Sequence, residues 1–270
     1  MDRLLFLGVG PIAEAVQRAL PQLPASGTTR SAPDARFQRI SPIAAQDSAA
    51  VRAAAAGARV LVSFPPDGHS DRDFSELTAQ AASVVYLSST AVYPSTAGVV
   101  TETSALASSG ERALRRSAAE STWREIGASV VRLPAFYGAS TGLHVSLARG
   151  TFRMPGLGTN IVSRVHEDDA ARFVCAAFDA PPRSLLLAGD DEPAPVAQVV
   201  DFVCSLFGLP APSSSADSDI PPSLRAERSV DSRATRAAFG IELAYPTYRE
   251  GYRSLHARRR VVGSGLIFAW

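Results

Sequence analysis

The first twenty residues of the chain have the pattern of a strand, a glycine turn and a helix. Leu4–Leu7 is an apolar run, residues 8–13 read Gly-Val-Gly-Pro-Ile-Ala, and residues 14–20 have amphipathic helical spacing. This order is typical of the first βαβ unit of a nucleotide-binding domain, in which the glycines let a pyrophosphate approach the main chain and the helix dipole. A purely structural turn is the alternative. The residues expected to contact a dinucleotide here are Gly8, Gly10, Pro11 and Ile12.

The composition excludes several classes of function. The chain has 270 residues, of which 46% are hydrophobic and 20% charged, and its net charge is +1. This charge gives no reason to expect nucleic acid or an anionic membrane as a partner. No apolar stretch approaches the length of a membrane span, and the N-terminal run lacks the features of a signal peptide. We therefore expect a cytoplasmic protein with a small-molecule substrate.

The number and spacing of the cysteines and histidines, and the absence of lysine, restrict the reactions that this chain can catalyse. Cys175 and Cys204 each follow a Phe-Val pair, and we expect both to be reduced core thiols on helices. The four histidines have no ligand spacing, so no metal is expected. All 27 basic residues are Arg, which excludes a Schiff base and lysine-assisted proton transfer.

Apolar runs and helical periodicities alternate along the first half of the chain. Strands are expected at residues 4–7, 25–29, 36–40, 59–64, 84–88 and 129–133. Helices are expected at residues 14–20, 51–58, 74–82 and 111–126, with a long loop at 91–108. This alternation predicts an α/β fold with a doubly wound parallel sheet of the Rossmann type.

The second half is less regular. Helices are expected at residues 168–178, 196–207 and 231–239, a strand at 185–187 and a surface loop at 211–222. Gly208 and Gly240 are expected to end two of the helices. We expect a dinucleotide-binding domain over residues 1–137, whose sheet is completed by segments around 160–190. A smaller α/β substrate lobe is expected mainly over residues 138–270.

Hydroxyl groups gather where the strand at 84–88 ends. Ser88, Ser89 and Thr90 stand there, and ligands of open α/β sheets bind beyond the carboxyl ends of the strands. These hydroxyls can hydrogen-bond a substrate oxygen or the ribose of the cofactor. The alternative is that they only cap the following loop.

The end of the second strand bears on the choice of cofactor. Enzymes that use NAD place Asp or Glu there, whereas this chain has Thr29 and Arg30 and no carboxylate before Asp34. Arginine beside hydroxyls suits a 2′-phosphate, so we expect NADP, with NAD as the alternative. Other residues expected beside the cofactor are Phe64, Pro65 and Pro66 on the adenosine side and Pro134, Ala135 and Phe136 on the nicotinamide side.

Motifs along nearly the whole chain resemble one known family. They lie at residues 8–13, 88–93, 131–138, 164–169, 189–195 and 243–251. In this order they are similar to the extended short-chain dehydrogenases/reductases, the NAD(P)-dependent epimerase/dehydratase superfamily, and to its atypical YeeZ-like, sugar-nucleotide epimerase-like branch. The resemblance implies a Rossmann fold, a nicotinamide cofactor and a C-terminal substrate lobe. It leaves a homodimer open, because dimers are common in this superfamily.

The chain departs from the family at the catalytic pair. The family has Tyr-x-x-x-Lys on the helix after the serine strand, usually with a glutamate four residues later. Counting back from Glu120 puts Arg116 at the Lys position and Arg112 at the Tyr position. Arg116 can still bind ribose, but Arg112 cannot act as an acid or base near neutral pH because guanidinium does not deprotonate.

A proton relay must therefore come from other residues. By resemblance Ser89 aligns with the family's catalytic Ser or Thr, and Thr90 is adjacent. Tyr93 and Tyr137 are candidate acids or bases, with packing in the wall or loop as the alternative. His166 is a candidate for substrate binding, with orientation of its own loop as the alternative.

The two arginines on this helix, Arg112 and Arg116, have three interpretations. They form a solvated helix face, they hold the carboxylates of Glu111 and Glu120, or they bind a carboxylate or phosphate of the substrate. The sequence leaves three functions open. An NADP(H)-dependent oxidoreductase or epimerase acting on a small carbonyl, hydroxyl or sugar-type substrate is favoured over a non-catalytic nucleotide sensor or scaffold and over a redox-neutral isomerase or lyase.

Overall fold

Seven parallel strands form the central sheet of the computed structural model, which describes residues 2–31, 33, 37–215 and 225–262. The strands of this part of the chain are β1 (Leu4–Leu7), β2 (Ala25–Thr29), β3 (Ser41–Ala44), β4 (Arg59–Val62), β5 (Ser83–Ser89), β6 (Gly98–Val100), β7 (Ser129–Leu133), β8 (Ala135–Tyr137), β9 (Met154–Pro155), β10 (Ile161–Val162), β11 (Arg164–His166), β12 (Leu185–Leu187), β13 (Ala194–Pro195), β14 (Ser214–Ser215) and β15 (Arg228–Val230). The central sheet has the order β12-β7-β5-β4-β1-β2-β3.

Helices cover both faces of this sheet. They are α1 (Pro11–Ala19), α2 (Ser48–Ala55), α3 (Ser70–Leu77), α4 (Glu111–Glu125), α5 (Leu143–Ala148), α6 (Glu167–Asp179), α7 (Val196–Phe207), α8 (Arg233–Phe239) and α9 (Tyr248–Val262). The predicted α/β class with a doubly wound parallel sheet is confirmed. Within the described ranges, no helix has the length and apolar character needed to cross a membrane.

The buried strands divide their side chains between two cores. Successive residues of a strand point to opposite faces, so Leu4 and Phe6 pack with α1 and α6, whereas Leu5 and Leu7 pack on the side of Trp123. All four β1 side chains are buried, which explains why this strand reads as a continuous apolar run rather than an alternation.

The predicted third strand at 36–40 is wrong. Phe37 and Ile40 lie in a turn closed by a hydrogen bond from Ile40 N to Phe37 O at 3.3 Å, and both side chains pack against the core. Arg36 lies outside the described residues. The strand is β3, at the edge of the sheet, where three of its four residues are exposed. Such an edge strand needs no apolar run.

The predicted loop at 91–108 contains a strand that sequence patterning did not reveal. β6 pairs with β15 in a second sheet of order β13-β10-β15-β6. In the loop predicted at 211–222, β14 pairs with β9, and residues 216–222 lie outside the described part. Both pairings join segments far apart in sequence, which a local pattern does not report.

The C-terminal half has a core of its own. Apolar side chains of α5, α7 and α9 pack together with Tyr137. Gly208 and Gly240 end α7 and α8 in the left-handed conformation, as predicted. β12 joins the central sheet beside β7, while the predicted domain boundary at residue 137 stays a prediction. Cys175 and Cys204 are free thiols. The expectation that both are fully buried is wrong, because each is half-buried.

Candidate functional site

The turn after β1 is fixed by its two neighbouring strands. Gly8 has φ +87°, which favours glycine, and a Cβ there would lie 3.2 Å from Phe64 N. Gly8 N donates to Thr28 Oγ1 at 2.9 Å, and Ser63 Oγ donates to Gly8 O at 2.8 Å. The turn is thus held between the ends of β2 and β4.

Gly10 differs from Gly8 because the fold itself does not require a glycine there. Its φ of −138° suits any residue, and an added Cβ would meet no protein atom within 4 Å. The open space lies at the start of α1, whose first residue is Pro11. A glycine in open space at a helix N-terminus fits a ligand phosphate that approaches the main chain.

Two details of the turn differ from, or add to, the sequence prediction. The side chain of Ile12 is buried in the core, so only its main chain is available to a ligand.

A Cβ on Gly27 would lie 2.4 Å from Val9 Cγ2 and 2.9 Å from Ile40 Cγ2. Gly27 therefore allows β2 to pack directly under the turn, a role that the strand-like sequence around it did not signal.

A cavity of about 440 Å³ lies at the carboxyl ends of β4, β5 and β7. Ten of the predicted site residues line it: Phe64, Pro65, Ser88, Ser89, Thr90, Arg112, Arg116, Pro134, Ala135 and Phe136. The later part of the chain closes it with Thr141, Gly142, Val162, Ser163, Ala226 and Arg228. The remaining predicted site residues do not line this cavity: Gly8, Gly10, Pro11, Ile12, Thr29, Arg30, Pro66, Tyr93, Tyr137 and His166.

The hydroxyls at the end of β5 have different partners. Ser88 Oγ is buried and donates to Glu120 Oε1 at 2.5 Å. Its hydroxyl proton is therefore not available to the cofactor, and the predicted contact between this hydroxyl and the cofactor is corrected. Ser89 Oγ accepts a hydrogen bond from Ala91 N at 3.2 Å and so caps the 3-10 turn Thr90–Val92. The capping alternative therefore holds for Ser89, whose hydroxyl proton remains available to a ligand in the cavity.

Tyr93 is a structural residue rather than an acid or base. It is 1% exposed, its hydroxyl donates to Thr101 O at 3.0 Å, and Arg132 Nη1 donates to it at 2.9 Å. Burial raises the pKa of Tyr93. Because the hydroxyl already has these two partners and Tyr93 does not line the cavity, the structure does not support the predicted catalytic role.

Tyr137 and His166 are also buried and do not line the cavity. Tyr137 is 1% exposed and stacks on Tyr252 with ring centroids 4.3 Å apart, and burial raises its pKa. His166 Nδ1 accepts from Asp168 N at 3.1 Å and caps α6, and burial lowers the pKa of His166 to about 4. The predicted catalytic role of Tyr137 and substrate role of His166 are therefore corrected to packing and helix capping.

Arginine dominates the charge of the cavity. Glu111 pairs with Arg115 and Glu120 pairs with Arg132, so the interpretation that Arg112 and Arg116 hold these two carboxylates is wrong. Arg116 Nη1 lies 3.5 Å from Leu87 O, at the margin of a hydrogen bond. Among the described residues that line the cavity there is no Asp or Glu.

Arg228 is a charged residue of the cavity lining that the sequence analysis did not predict. Its guanidinium donates to Thr90 O and, at 3.2 Å, to Tyr93 O, which ties β15 to the loop after β5. These contacts join residues 135 or more positions apart, so no local motif could have indicated them.

The end of β2 keeps an exposed arginine at its expected place. Arg30 directly follows the strand and is exposed to solvent. Thr29 Oγ1 donates to Ser31 O at 2.8 Å, so this hydroxyl already serves the local turn. Asp34 lies outside the described residues.

Comparison with known proteins gives relatives at low identity. No protein-family model matches the chain. A 3-diazoavenalumate denitrifying reductase from a Streptomyces species is 26% identical over 141 residues, which is 47% of this chain and 46% of the relative. The matched region thus spans about half the length of that curated relative.

Solved structures match over almost the whole chain. A functionally unknown conserved protein from Silicibacter pomeroyi DSS is 28% identical with a TM-score of 0.81, and the match covers 96% of this chain and 99% of that one. MoeE5 in complex with UDP-glucose and NAD is 18% identical with a TM-score of 0.78, covering 97% and 100%. DesIV, a dTDP-glucose 4,6-dehydratase from Streptomyces venezuelae with NAD and TYD bound, is 18% identical with a TM-score of 0.77, covering 97% of each chain. The chain therefore has the Rossmann-type fold of NAD-dependent epimerases and dehydratases.

Proposed function

We propose that this protein is an NADP(H)-dependent oxidoreductase of the atypical epimerase-like branch, acting on a small carbonyl, hydroxyl or sugar-type substrate. The observation that carries the proposal is the open space at Gly10 on the same carboxyl edge as a cavity lined by Ser89 and Thr90. Ligands of doubly wound sheets bind at this edge. The solved relatives that contain NAD support a nicotinamide dinucleotide here.

Each part of the cofactor has residues of this chain that fit it. The main chain from Gly8 to Pro11 would hold the diphosphate at the start of α1. Exposed Arg30 would bind a 2′-phosphate, which favours NADP over NAD. The residues proposed beside the rest of the cofactor are Phe64 and Pro65, Arg116, and Pro134, Ala135 and Phe136. When bound, the nicotinamide supplies or accepts a hydride.

The substrate would lie between these residues and the later part of the chain. Ser89 and Thr90 would donate hydrogen bonds to its reacting oxygen. The described side chains that line the cavity include none that titrates near pH 7. A proton required by the reaction would therefore come from water.

Reductive removal of a diazo group is a second candidate function. It is motivated by the denitrifying reductase relative and favoured by the lack of a near-neutral acid in the cavity lining. When hydride replaces N₂ on carbon, a C–H bond forms and the C–N bond breaks, and N₂ leaves with the electron pair of that bond. The replacement needs no proton donor, so a cavity without one is sufficient.

A fluorescence titration of the purified protein with NADPH and with NADH tests the proposal. We expect saturable binding of both with NADPH bound more tightly, and two flat titrations would contradict the proposal. Consumption of NADPH would then be followed with aldehydes, ketones, nucleotide sugars and an aryl diazonium carboxylate. Binding without turnover of any of these would favour a nucleotide sensor, and product without net NADPH consumption would favour an isomerase or lyase.

A further inference from the structure

Two arginines from distant parts of the chain line the same cavity. Arg112 belongs to the first turn of α4, and Arg228 belongs to β15 in the second sheet. Burial, and then the positive charge of Arg112, lowers the pKa of Arg228. The two guanidinium groups are therefore close enough to repel each other across the cavity.

Among the described residues, no carboxylate forms an ion pair with either arginine. Within the same ranges, the hydrogen-bond acceptors of the Arg228 guanidinium are main-chain carbonyls. By contrast, buried Arg132 is neutralised by Glu120 at 2.7 Å. Two like charges that line one cavity without a carboxylate partner attract an anion that can bind both of them.

The surroundings of these arginines define the rest of the ligand. The bonds from Arg228 to Thr90 O and Tyr93 O hold its guanidinium beside the end of β5, where Ser89 and Thr90 line the cavity. The neighbouring lining is mostly apolar and includes Phe64, Leu87, Leu133, Phe136 and Val162. A fitting ligand has an apolar body and an oxyanion next to the reacting group.

We infer that the substrate of this cavity is a small organic anion whose carboxylate or phosphate is bound by Arg112 and Arg228 beside Ser89 and Thr90. The inference rests on the proposed function only in calling the ligand a substrate. Anion binding at this site does not depend on the cofactor. It places a charge-binding residue, Arg112, at the position where the resembled family has its catalytic tyrosine. The oxyanion then orients the substrate, while its reacting carbon faces the side of the cavity formed by residues 133–136.

Calorimetric titration of the full chain with three probes tests this inference. Benzoate carries a carboxylate, phenyl phosphate carries a phosphate, and benzamide is a neutral control. Each is titrated with and without saturating NADPH. We expect benzoate, phenyl phosphate or both to bind and benzamide not to bind. The probe that binds more tightly shows whether the site prefers a carboxylate or a phosphate.

Variants assign the binding to the two arginines. Arg112→Gln and Arg228→Gln are each expected to weaken the bound anion about tenfold, because each removes charge-assisted hydrogen bonds. Arg52→Gln removes the same charge on α2 outside the cavity and is expected to leave the affinity unchanged. Arg112 is exposed, so its variant serves even if the loss of Arg228's bonds to Thr90 and Tyr93 impairs folding.

The outcomes separate this inference from the proposed function. If NADPH binds but wild-type protein binds neither anion, the inference is overturned and the oxidoreductase proposal stands. Equal affinity of Arg112→Gln and wild type for benzoate and phenyl phosphate also overturns it. If the anions bind with the expected arginine dependence while NADPH does not bind, the anion site stands and the proposed function fails.

Discussion

Glu120 on α4 and Arg132 on β7 form a two-point ion pair inside the protein. Arg132 Nε donates to Glu120 Oε1 at 2.9 Å and Nη2 donates to Oε2 at 2.7 Å, and each side chain is 4% exposed. Ser88 donates to the same carboxylate from β5. Because α4 also carries Arg112 and Arg116, this ion pair fixes the helix that brings both arginines to the cavity.

Breaking this ion pair is expected to be costly. Glu120→Gln leaves Arg132 charged and buried without its carboxylate, so we expect the free energy of unfolding in urea to fall by about 3–5 kcal/mol. Glu111→Gln is the matched control on the same helix, because Glu111 pairs with Arg115 at the surface. This variant should lower the free energy of unfolding by less than about 0.5 kcal/mol. A similar, small loss in both variants would contradict the structural role of the pair.

The two tyrosines that sequence reasoning treated alike should respond differently to loss of the hydroxyl. Tyr93→Phe leaves Arg132 Nη1 without its hydrogen-bond partner, while Thr101 O keeps a hydrogen bond from Ser104 N at 3.2 Å. The free energy of unfolding should therefore fall by about 1–3 kcal/mol. The Tyr137 hydroxyl is buried and has no hydrogen-bond partner among the described residues, so Tyr137→Phe should leave stability unchanged or slightly increased. Urea unfolding of both variants measures this contrast, and a larger loss for Tyr137→Phe would refute it.

Arg30 is expected to distinguish the two cofactors. Arg30→Ala should weaken NADPH about tenfold by removing charge-assisted hydrogen bonds to the 2′-phosphate, and should change the NADH affinity little. Arg52→Ala is the control. Arg3, just before β1, donates to Ala53 O at 3.1 Å. This end of α2 therefore lies near the amino end of β1, whereas the cavity lies at the carboxyl ends of the strands. Equal weakening of NADPH and NADH by Arg30→Ala would exclude the 2′-phosphate role.

His166 is expected to make stability depend on pH. Burial lowers its pKa from 6.5 to about 4; Asp168 opposes this shift, whereas Arg258, Arg18 and His144 add to it. Between these two pH values the unfolded chain binds more protons than the folded one, so the stability that neutral His166 contributes is present above pH 6.5 and is lost as the pH falls towards 4.

A variant isolates this contribution from other titrating groups. His166→Asn keeps a side chain that can cap α6 but does not titrate. The unfolding free energy of wild type minus that of the variant should be constant above pH 6.5 and should fall by up to about 1.4 kcal/mol per pH unit below it. A difference that stays constant down to pH 4 would show that His166 is not held neutral by the fold.

The sequence was most informative where structure is local. β1, the positive φ of Gly8 and the capping glycines Gly208 and Gly240 follow from short apolar runs and from the backbone freedom of glycine. The cavity lining after β4, β5 and β7 was predictable because parallel strands end at one edge.

The sequence was least informative where burial or distant pairing decides a role. Tyr93 and Tyr137 follow strands as a catalytic residue would, but tertiary packing buries both. Arg228 enters the site only because β15 pairs with β6 and β10, and this pairing has no local sequence pattern.

We expect the diphosphate of a dinucleotide to lie against the main chain at Gly10. A Cβ at this position meets no protein atom within 4 Å, so Gly10→Ala should change stability by no more than about 1 kcal/mol, the range for this helix-capping position. The decisive measurement is a fluorescence titration of wild type and Gly10→Ala with NADPH, with urea unfolding as the check on folding. We predict that the folded variant binds NADPH at least about tenfold more weakly than wild type, which corresponds to about 1.4 kcal/mol. Equal affinities in two equally stable proteins would contradict the claim.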